Sequence, residues 1–327
     1  MKTQVLITVD TEVYPISPDW RASRLSQDVD RDIYGIVDGR ELGLRYQLEM
    51  FSRHGLKAEF FVESLFASSK DVDPSILPQI VSLIQGSGQG VQLHVHPDWV
   101  PEMGGGIPDR GYLLKNYEEH EQQAIIEIGV ENLRRAGASH IEAFRAGDYA
   151  ADDRTLRCLP RAGIRFDSSY NVPYLGRTCS IQAAGPLFHP RKIGGVWEIP
   201  VSCFQDYGQH FRHTQLCACS EAEMFHFLET AHRDRWGVVV IVSHSFEMLA
   251  NRRSSRPLCP ANHSIQRFEG LCEYLDRNRD RFQTSMFQEL DLAEASEPAA
   301  GPIRGKLHLT ALRIVEQGMA RLAQRWR

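Results

Sequence analysis

The sequence predicts a parallel α/β fold on three observations. Seven short runs are rich in β-branched and aromatic residues, most are apolar nearly throughout instead of alternating, and helical patterns lie between many of them. A strand covered on both faces has no solvent side to mark with polar residues, so continuous apolar runs point to parallel strands under helices. The runs span 5–9, 56–62, 91–95, 141–145, 163–167, 196–201 and 238–244. Strand followed by helix, repeated, implies right-handed crossovers.

The clearest helix begins at Asp73-Pro74, a capping residue followed by a first-turn proline. It carries Ile76, Leu77, Ile80, Val81 and Ile84 on one face and stops at Gly86. Apolar residues at three- and four-residue spacing predict further helices over 40–54, 117–136, 152–162, 220–233 and 265–278. Two long connections, 15–38 and 99–114, each follow a strand with polar residues at its end, which makes them candidate substrate loops. The stretch 171–192, broken by prolines and glycines, has room for a hairpin of its own.

Residues 1–289 are expected to form the core domain and 290–303, with Ala299-Ala300-Gly301-Pro302, a linker. Beyond it Leu309, Leu312, Val315, Met319, Leu322 and Trp326 recur at helical spacing among Arg304, Lys306, Arg313, Arg321, Arg325 and Arg327. This basic amphipathic helix, 304–327, has two readings: docking on the core or on a second copy of the chain, and weak attachment to an anionic membrane surface.

A length of 327 residues suffices for one large barrel or two ordinary domains, and a net charge of −5 gives no basic excess that would suit nucleic acid. The longest apolar run, 238–242, is strand-sized, well short of the roughly 20 residues of a membrane span. Seven cysteines, an odd number without framework spacing, are expected to be reduced thiols. Met1-Lys2-Thr3-Gln4 leads directly into the first strand without a leader pattern, so the expected location is cytoplasmic.

Chemistry-bearing residues gather at the ends of the strand runs, where loops of parallel α/β folds converge on one pocket. Asp10 and Glu12, two apart at the end of the first run, project to the same side and can share one ion. His94 and His96 repeat that spacing, with Pro97 forcing a turn and Asp98 following, a dense set of metal-ligating types. Arg145 closes the fourth run and can anchor a neighbouring carboxylate, with Asp148 and Tyr149 just beyond it. Asp167 closes the fifth and can orient a histidine from behind. His244 closes the seventh and can supply a proton. Trp99, Asp148 and Tyr149 are the substrate-binding candidates. His210, His213, Cys217 and Cys219 lie close in sequence, but their spacing matches neither common zinc-finger pattern. Together the residues point to a metal-assisted hydrolase.

Taken in order, residues 6–12 (LITVDTE), 57–62 (KAEFFV), 92–97 (QLHVHP), 144–147 (FRAG), 166–169 (FDSS) and 243–245 (SHS) resemble the polysaccharide deacetylases of the NodB-homology class, carbohydrate esterase family four. The resemblance spans roughly residues 3 to 250. It implies a distorted (β/α)₇ barrel, followed in this chain by a C-terminal helical tail. It also implies one divalent metal, Zn²⁺ first with Co²⁺ or Mn²⁺ as alternatives, and hydrolysis of an N-acetyl or O-acetyl group on a carbohydrate. By resemblance Asp10 is the catalytic base, Glu12 and His94 are metal ligands, Arg145 positions the base and His244 is the acid. Two departures bear on the metal: the second acidic residue is displaced by one position and is Glu12, and Asp98 stands where the family has its second histidine. His96 or Asp98 is left to supply the third ligand, and the family spacing favours Asp98. The third motif also lacks its usual proline after the arginine. Two further readings are hydrolysis of a non-sugar amide or cyclic imide, and a non-catalytic barrel that binds glycan or a partner.

Overall fold

Val5, Ile7 and Val9 on one face of the first strand and Leu6 on the other are all buried, and the strand has strand neighbours on both edges. The computed structural model describes residues 2–13, 25–252, 257–290, 292 and 301–325. Among the described residues the main sheet has nine strands. Its members are β1 (Thr3–Thr11), β2 (Glu59–Glu63), β3 (Gly90–Val95), β4 (Ala143–Ala146), β5 (Phe166–Asp167), β6 (Arg191–Ile193), β7 (Val196–Glu198), β10 (Val238–His244) and β11 (Phe282–Thr284). A separate sheet holds β8 (Cys203–Tyr207), β9 (His210–His213) and β12 (Ile303–Arg304).

The order in the main sheet is β10, β1, β2, β3, β4, β5, β7, β6, with β11 also paired to β1. Seven of its parallel strands, β1 to β5, β7 and β10, coincide with the seven apolar runs. The sheet curls into a distorted (β/α) barrel. Next to β10, Gln215 bridges to Val242 and Thr214 Oγ1 donates to Val240 O at 2.6 Å. Among the described strands of this sheet only β6 runs antiparallel, turning back through Gly194-Gly195 at φ 60° and 97°. That hairpin begins at the end of the proline- and glycine-broken stretch.

The α-helices of six residues or more among the described residues are α1 (Leu44–Arg53), α2 (Ile76–Gly86), α3 (Glu119–Arg135), α4 (Asp153–Cys158), α5 (Glu221–Arg233), α6 (Asn262–Arg277) and α7 (Leu307–Arg325). α2 starts two residues later than its sequence signal, because Asp73 uses its carboxylate to accept from Ser75 N–H at 2.8 Å and closes a turn ahead of the helix. Ser220 and Glu223 form a reciprocal capping box at α5, and Asp152 caps α4. Residues 15–24 of the expected connection 15–38, and most of the linker 290–303, lie outside the described residues. At the linker's end, Ile303 pairs with Phe204, so the chain rejoins the core through β12 before α7 begins.

Register then places the site. Asp10 stands level with His244 across β1 and β10; Glu63, His94 and Arg145 stand level across β2, β3 and β4. Level neighbours in a parallel sheet project the same way, so one rim receives all five.

Deeper between β2 and β3, burial pushes the Glu59 carboxyl up to about 7, against the hydrogen bonds it accepts from Phe287 N–H (2.8 Å) and Gln92 Nε2 (3.0 Å). The folded chain holds a proton there that the unfolded chain releases near its ordinary value of about 4.3. The stabilising share of Glu59 is complete below that value and is lost as pH rises through about 7. Glu59→Gln removes the titration, so its urea midpoint relative to the wild type should climb between about pH 4 and about pH 8. A pH-independent difference would refute the assignment.

Candidate metal and catalytic centre

The extended backbone of β3 continues into His96, at φ −114° and ψ 110°, so His94 and His96 point to the same side. Their Nε2 atoms lie 3.1 Å apart. Glu12 Oε2 stands 3.1 Å from His94 Nε2 and in closer contact with His96 Nε2. Among the described residues these three are the group of metal-ligating side chains that converges in this way.

Separations of this size fit one ion. Ligands held at the zinc distances of roughly 2.0–2.1 Å in a tetrahedron stand about 3.3 Å from one another. The tautomer fits as well: His94 Nδ1 donates to Arg145 O at 2.9 Å, which leaves Nε2 with its lone pair facing the cluster. Burial works against ionisation of Glu12, but His96 and His94 outweigh it and hold the carboxyl well below its ordinary range. Burial likewise pulls the His96 imidazole down, yet Glu12, Glu63 and Asp148 outweigh it and raise the ring to about 10. Carboxylates that keep a proton on His96 so firmly supply the negative field that a cation would occupy.

The third-ligand expectation comes out differently. Pro97–Trp99 forms a tight helical turn that carries Asp98 away, so its Oδ2 sits 3.9 Å from His96 Nδ1, on the side of the ring remote from the cluster. The strand phase brings His96, not Asp98, to Glu12 and His94. Nor does Asp10 join Glu12 at the cluster: Arg145 Nη1 donates to Asp10 Oδ1 at 2.7 Å and holds it to one side.

Arg145 is fully buried and donates to Thr8 Oγ1 (3.0 Å), Ser168 O (3.0 Å) and Ser168 Oγ (3.1 Å) as well, with its guanidinium over the Phe61 ring at 4.3 Å. Asp10 Oδ2 remains toward the cavity, 3.9 Å from His244 Nε2. Glu247 Oε1 lies 3.0 Å from His244 Nδ1, and Gln215 Nε2 is 3.2 Å from the same nitrogen. Burial lowers the basicity of His244, but the Glu247 hydrogen bond and the charges of Asp10, Glu247 and Glu12 outweigh it and push its pKa up to about 9.

Glu247 therefore takes the part expected of Asp167. Asp167 stands level with Phe144, one residue short of Arg145, and is sealed under Ser169, which donates to it at 2.7 Å. It faces Glu198, its neighbour on β7, and burial raises both carboxyls, Glu198 well above its usual value. Asp167 balances the charge of Arg145 from within the core.

A cavity of about 490 Å³ joins these parts, lined by Asp10, Glu12, Glu63, His94, His96, Asp98, Asp148, Gln215 and His244 with the rings of Trp99, Tyr112, Tyr149, Tyr174 and Phe246. Asp148 and Tyr149 take left-handed φ of 51° and 57°, costly for residues with a Cβ and the kind of local strain that collects at functional sites. The Tyr149 hydroxyl is buried and finds no partner among the described residues. Gly147 lets the chain pass His96, since a Cβ there would meet the imidazole at 2.4–2.6 Å.

Glu63, Gln215, Glu247, Tyr174 and Phe246 were not signalled by the sequence. Glu63 was within reach, since it ends the second strand as His94 ends the third. Burial pushes it up to about 7 and it accepts from the backbone N–H of His96 and of Leu65. His210 and His213 turn instead to Asp206 and Gln215.

No family model matches the chain, and no curated protein matches its sequence. Its fold does match solved structures. It superposes on a structure named as a polysaccharide deacetylase from Mycobacterium smegmatis with a TM-score of 0.55 at 17% identity, covering 92% of this chain and 94% of that one. With 4-alpha-glucanotransferase from Thermococcus litoralis the TM-score is 0.53 at 11% identity, covering 91% of this chain and 41% of that one. A family 4 carbohydrate esterase from Streptomyces lividans, solved with acetate, aligns at 12% identity and a TM-score of 0.42 over 88% of this chain and 95% of that one. The chain thus has the fold of the polysaccharide deacetylases it resembles. A fold shared by proteins named for different chemistries leaves the reaction to be argued from the site.

Gly147→Ala should weaken divalent-metal affinity by about 10-fold or more in a competition titration against a chromophoric chelator, because the added methyl displaces His96. Unchanged affinity would mean that His96 does not bind. In metal-free protein, Glu247→Gln should move the His244 titration, followed by NMR, from about 9 toward its ordinary value of about 6.5. A value that stays near 9 would show that Glu247 does not hold the proton on His244.

Proposed function

We propose that the chain is a metal-dependent hydrolase that removes an acetyl group from an N-acetylated or O-acetylated sugar of a glycan or glycan precursor. The observation that carries this reading is the meeting of Glu12, His94 and His96 at one point of an open cavity, between the Arg145–Asp10 pair and the His244–Glu247 pair. Glu12 Oε2 and the Nε2 atoms of His94 and His96 would hold the ion. Zn²⁺ suits two imidazoles and a carboxylate, with Co²⁺ or Mn²⁺ as substitutes. A divalent ion there supplies Lewis acidity to the acetyl carbonyl and lowers the pKa of water.

The chain's own groups account for the protons. Hydrolysis adds water across the carbonyl carbon, breaks its bond to the sugar nitrogen or oxygen, and needs one proton removed from water and one delivered to the departing atom. Asp10 accepts the first at Oδ2, because Arg145 occupies Oδ1 and fixes the carboxylate's orientation. His244 delivers the second from Nε2, since Glu247 keeps the ring protonated at neutral pH. The aromatic rings around the cavity suit the apolar faces of sugar rings, and the strained Asp148–Tyr149 turn borders the same cavity. Free cysteines throughout the described chain favour a reducing, cytoplasmic setting for a glycan precursor over a mature wall polymer.

Acetate release from N-acetylglucosamine oligomers, compared with release from non-sugar acetamides and cyclic imides, tests substrate and reaction together. Chelation should abolish turnover and added Zn²⁺, Co²⁺ or Mn²⁺ should restore it. Asp10→Asn and His244→Ala should each lower kcat by about 10²-fold or more, the scale for general acid–base groups, while metal content is unchanged. Near-normal turnover in both variants, or activity indifferent to chelation, would overturn the proposal.

A further inference from the structure

The amphipathic helix α7 is mounted the reverse of the usual way. At 3.6 residues per turn, Leu307, Leu312, Ile314, Val315 and Met319 fall within about 160° of arc, with Ala311 and Gly318 among them. That side faces solvent: the five are between 56% and 69% exposed. The opposite side holds Thr310 and Arg313, both buried.

Polar contacts, not the apolar face, fasten the helix. Arg313 Nε donates to Glu223 on α5 (2.9 Å), and Arg313 Nη2 reaches Asp206 on β8 (3.3 Å). Glu316 pairs with Arg267 (3.4 Å) and His263 (3.5 Å) on α6. The helix lies beside the cavity wall, because Arg267 also donates to Cys217 O (3.1 Å), and Cys217 N–H to Glu247 Oε2 (3.2 Å). A water-facing apolar stripe on a helix held by buried ion pairs is a built surface, and exposed patches of this kind mark contact sites.

Charge selects the occupant. From residue 303 onward the sequence carries Arg304, Lys306, Arg321, Arg325 and Arg327 besides Arg313, which is already paired with Glu223 and Asp206, and its one acidic residue is Glu316, already engaged with the barrel. Two copies meeting through this segment would bring cations together without acidic partners. An anionic lipid surface supplies the missing charge and accepts the apolar stripe between its headgroups. No helix among the described residues is long and apolar enough to cross a membrane, so α7 would lie in the interfacial plane.

We propose that α7 attaches the protein peripherally to anionic bilayers through Leu307, Leu312, Ile314, Val315 and Met319. The attachment does not depend on the reaction assigned to the cavity. Flotation of the full chain with vesicles of equal parts phosphatidylglycerol and phosphatidylcholine tests it, against vesicles of phosphatidylcholine alone. Recovery with the anionic vesicles should be about 10-fold higher or more, and Leu312→Glu with Val315→Glu should abolish it. Both positions are exposed, so the variant should keep the wild-type melting temperature and metal content. Absence of the wild type from the floated fraction, or equal flotation of the variant, would overturn the proposal. A wild-type dimer in sedimentation velocity that the same variant splits, without vesicle binding, would assign the stripe to a second copy and refute the lipid assignment.

Discussion

Parallel register is the constraint from which the rest of the molecule follows. Because Asp10 and His244 are paired residues of adjacent strands, as are Glu63, His94 and Arg145, hydrogen bonds along the strands fix the side-chain origins of the site before any functional contact forms. A slip of one residue in any of these strands would turn its functional side chain from the rim toward the opposite face. Apolar burial on both faces opposes such a slip, and β10, with Val238 to Val242, has the longest apolar run.

On that frame the chain stacks charge in layers. Around the cavity, Glu12, Glu63 and Asp10 face His94, His96 and His244; behind them Arg145 is held by Asp10, Ser168 and the field of Asp167, and burial beside Asp167 raises the Glu198 carboxyl well above its usual value. Removing one partner from such an arrangement leaves a buried charge uncompensated, which costs far more than the pair gains by forming. The arrangement is thus rigid in its second layer and open in its first: Arg145 is inaccessible, whereas the cluster of Glu12, His94 and His96 borders the cavity. That division suits the proposed hydrolysis, in which Asp10 and His244 flank the reaction space.

Much of this was legible in the sequence, and the reasons for the gaps are local. The seven parallel strands could be read because each is apolar on both faces, and Asp10, Glu12, His94, Arg145 and His244 because they end such runs. Asp98 was preferred over His96 from family spacing, which carries no information on where a strand stops. The backbone keeps its alternation through His96, and the proline after it sends Asp98 elsewhere. Asp167 ends a strand as well, but that strand is only two residues long and is out of step with Arg145, so its carboxylate meets Glu198 and not a histidine. Glu247 left no sequence signal, since it lies in the turn after β10, where no period applies. The inverted mounting of α7 was equally hidden: its periodicity shows an apolar face, while the direction of that face is set by Asp206 and Glu223, far away in sequence.

Glu12, His94 and His96 thus converge as the proposed cation site, with Asp98 on the far side of the His96 ring. Calorimetric titration of Zn²⁺ into metal-free wild type, His96→Ala and Asp98→Ala decides between the two ligand sets. A single tight site in the wild type should be kept in Asp98→Ala and lost in His96→Ala. Loss in Asp98→Ala with retention in His96→Ala would contradict this assignment.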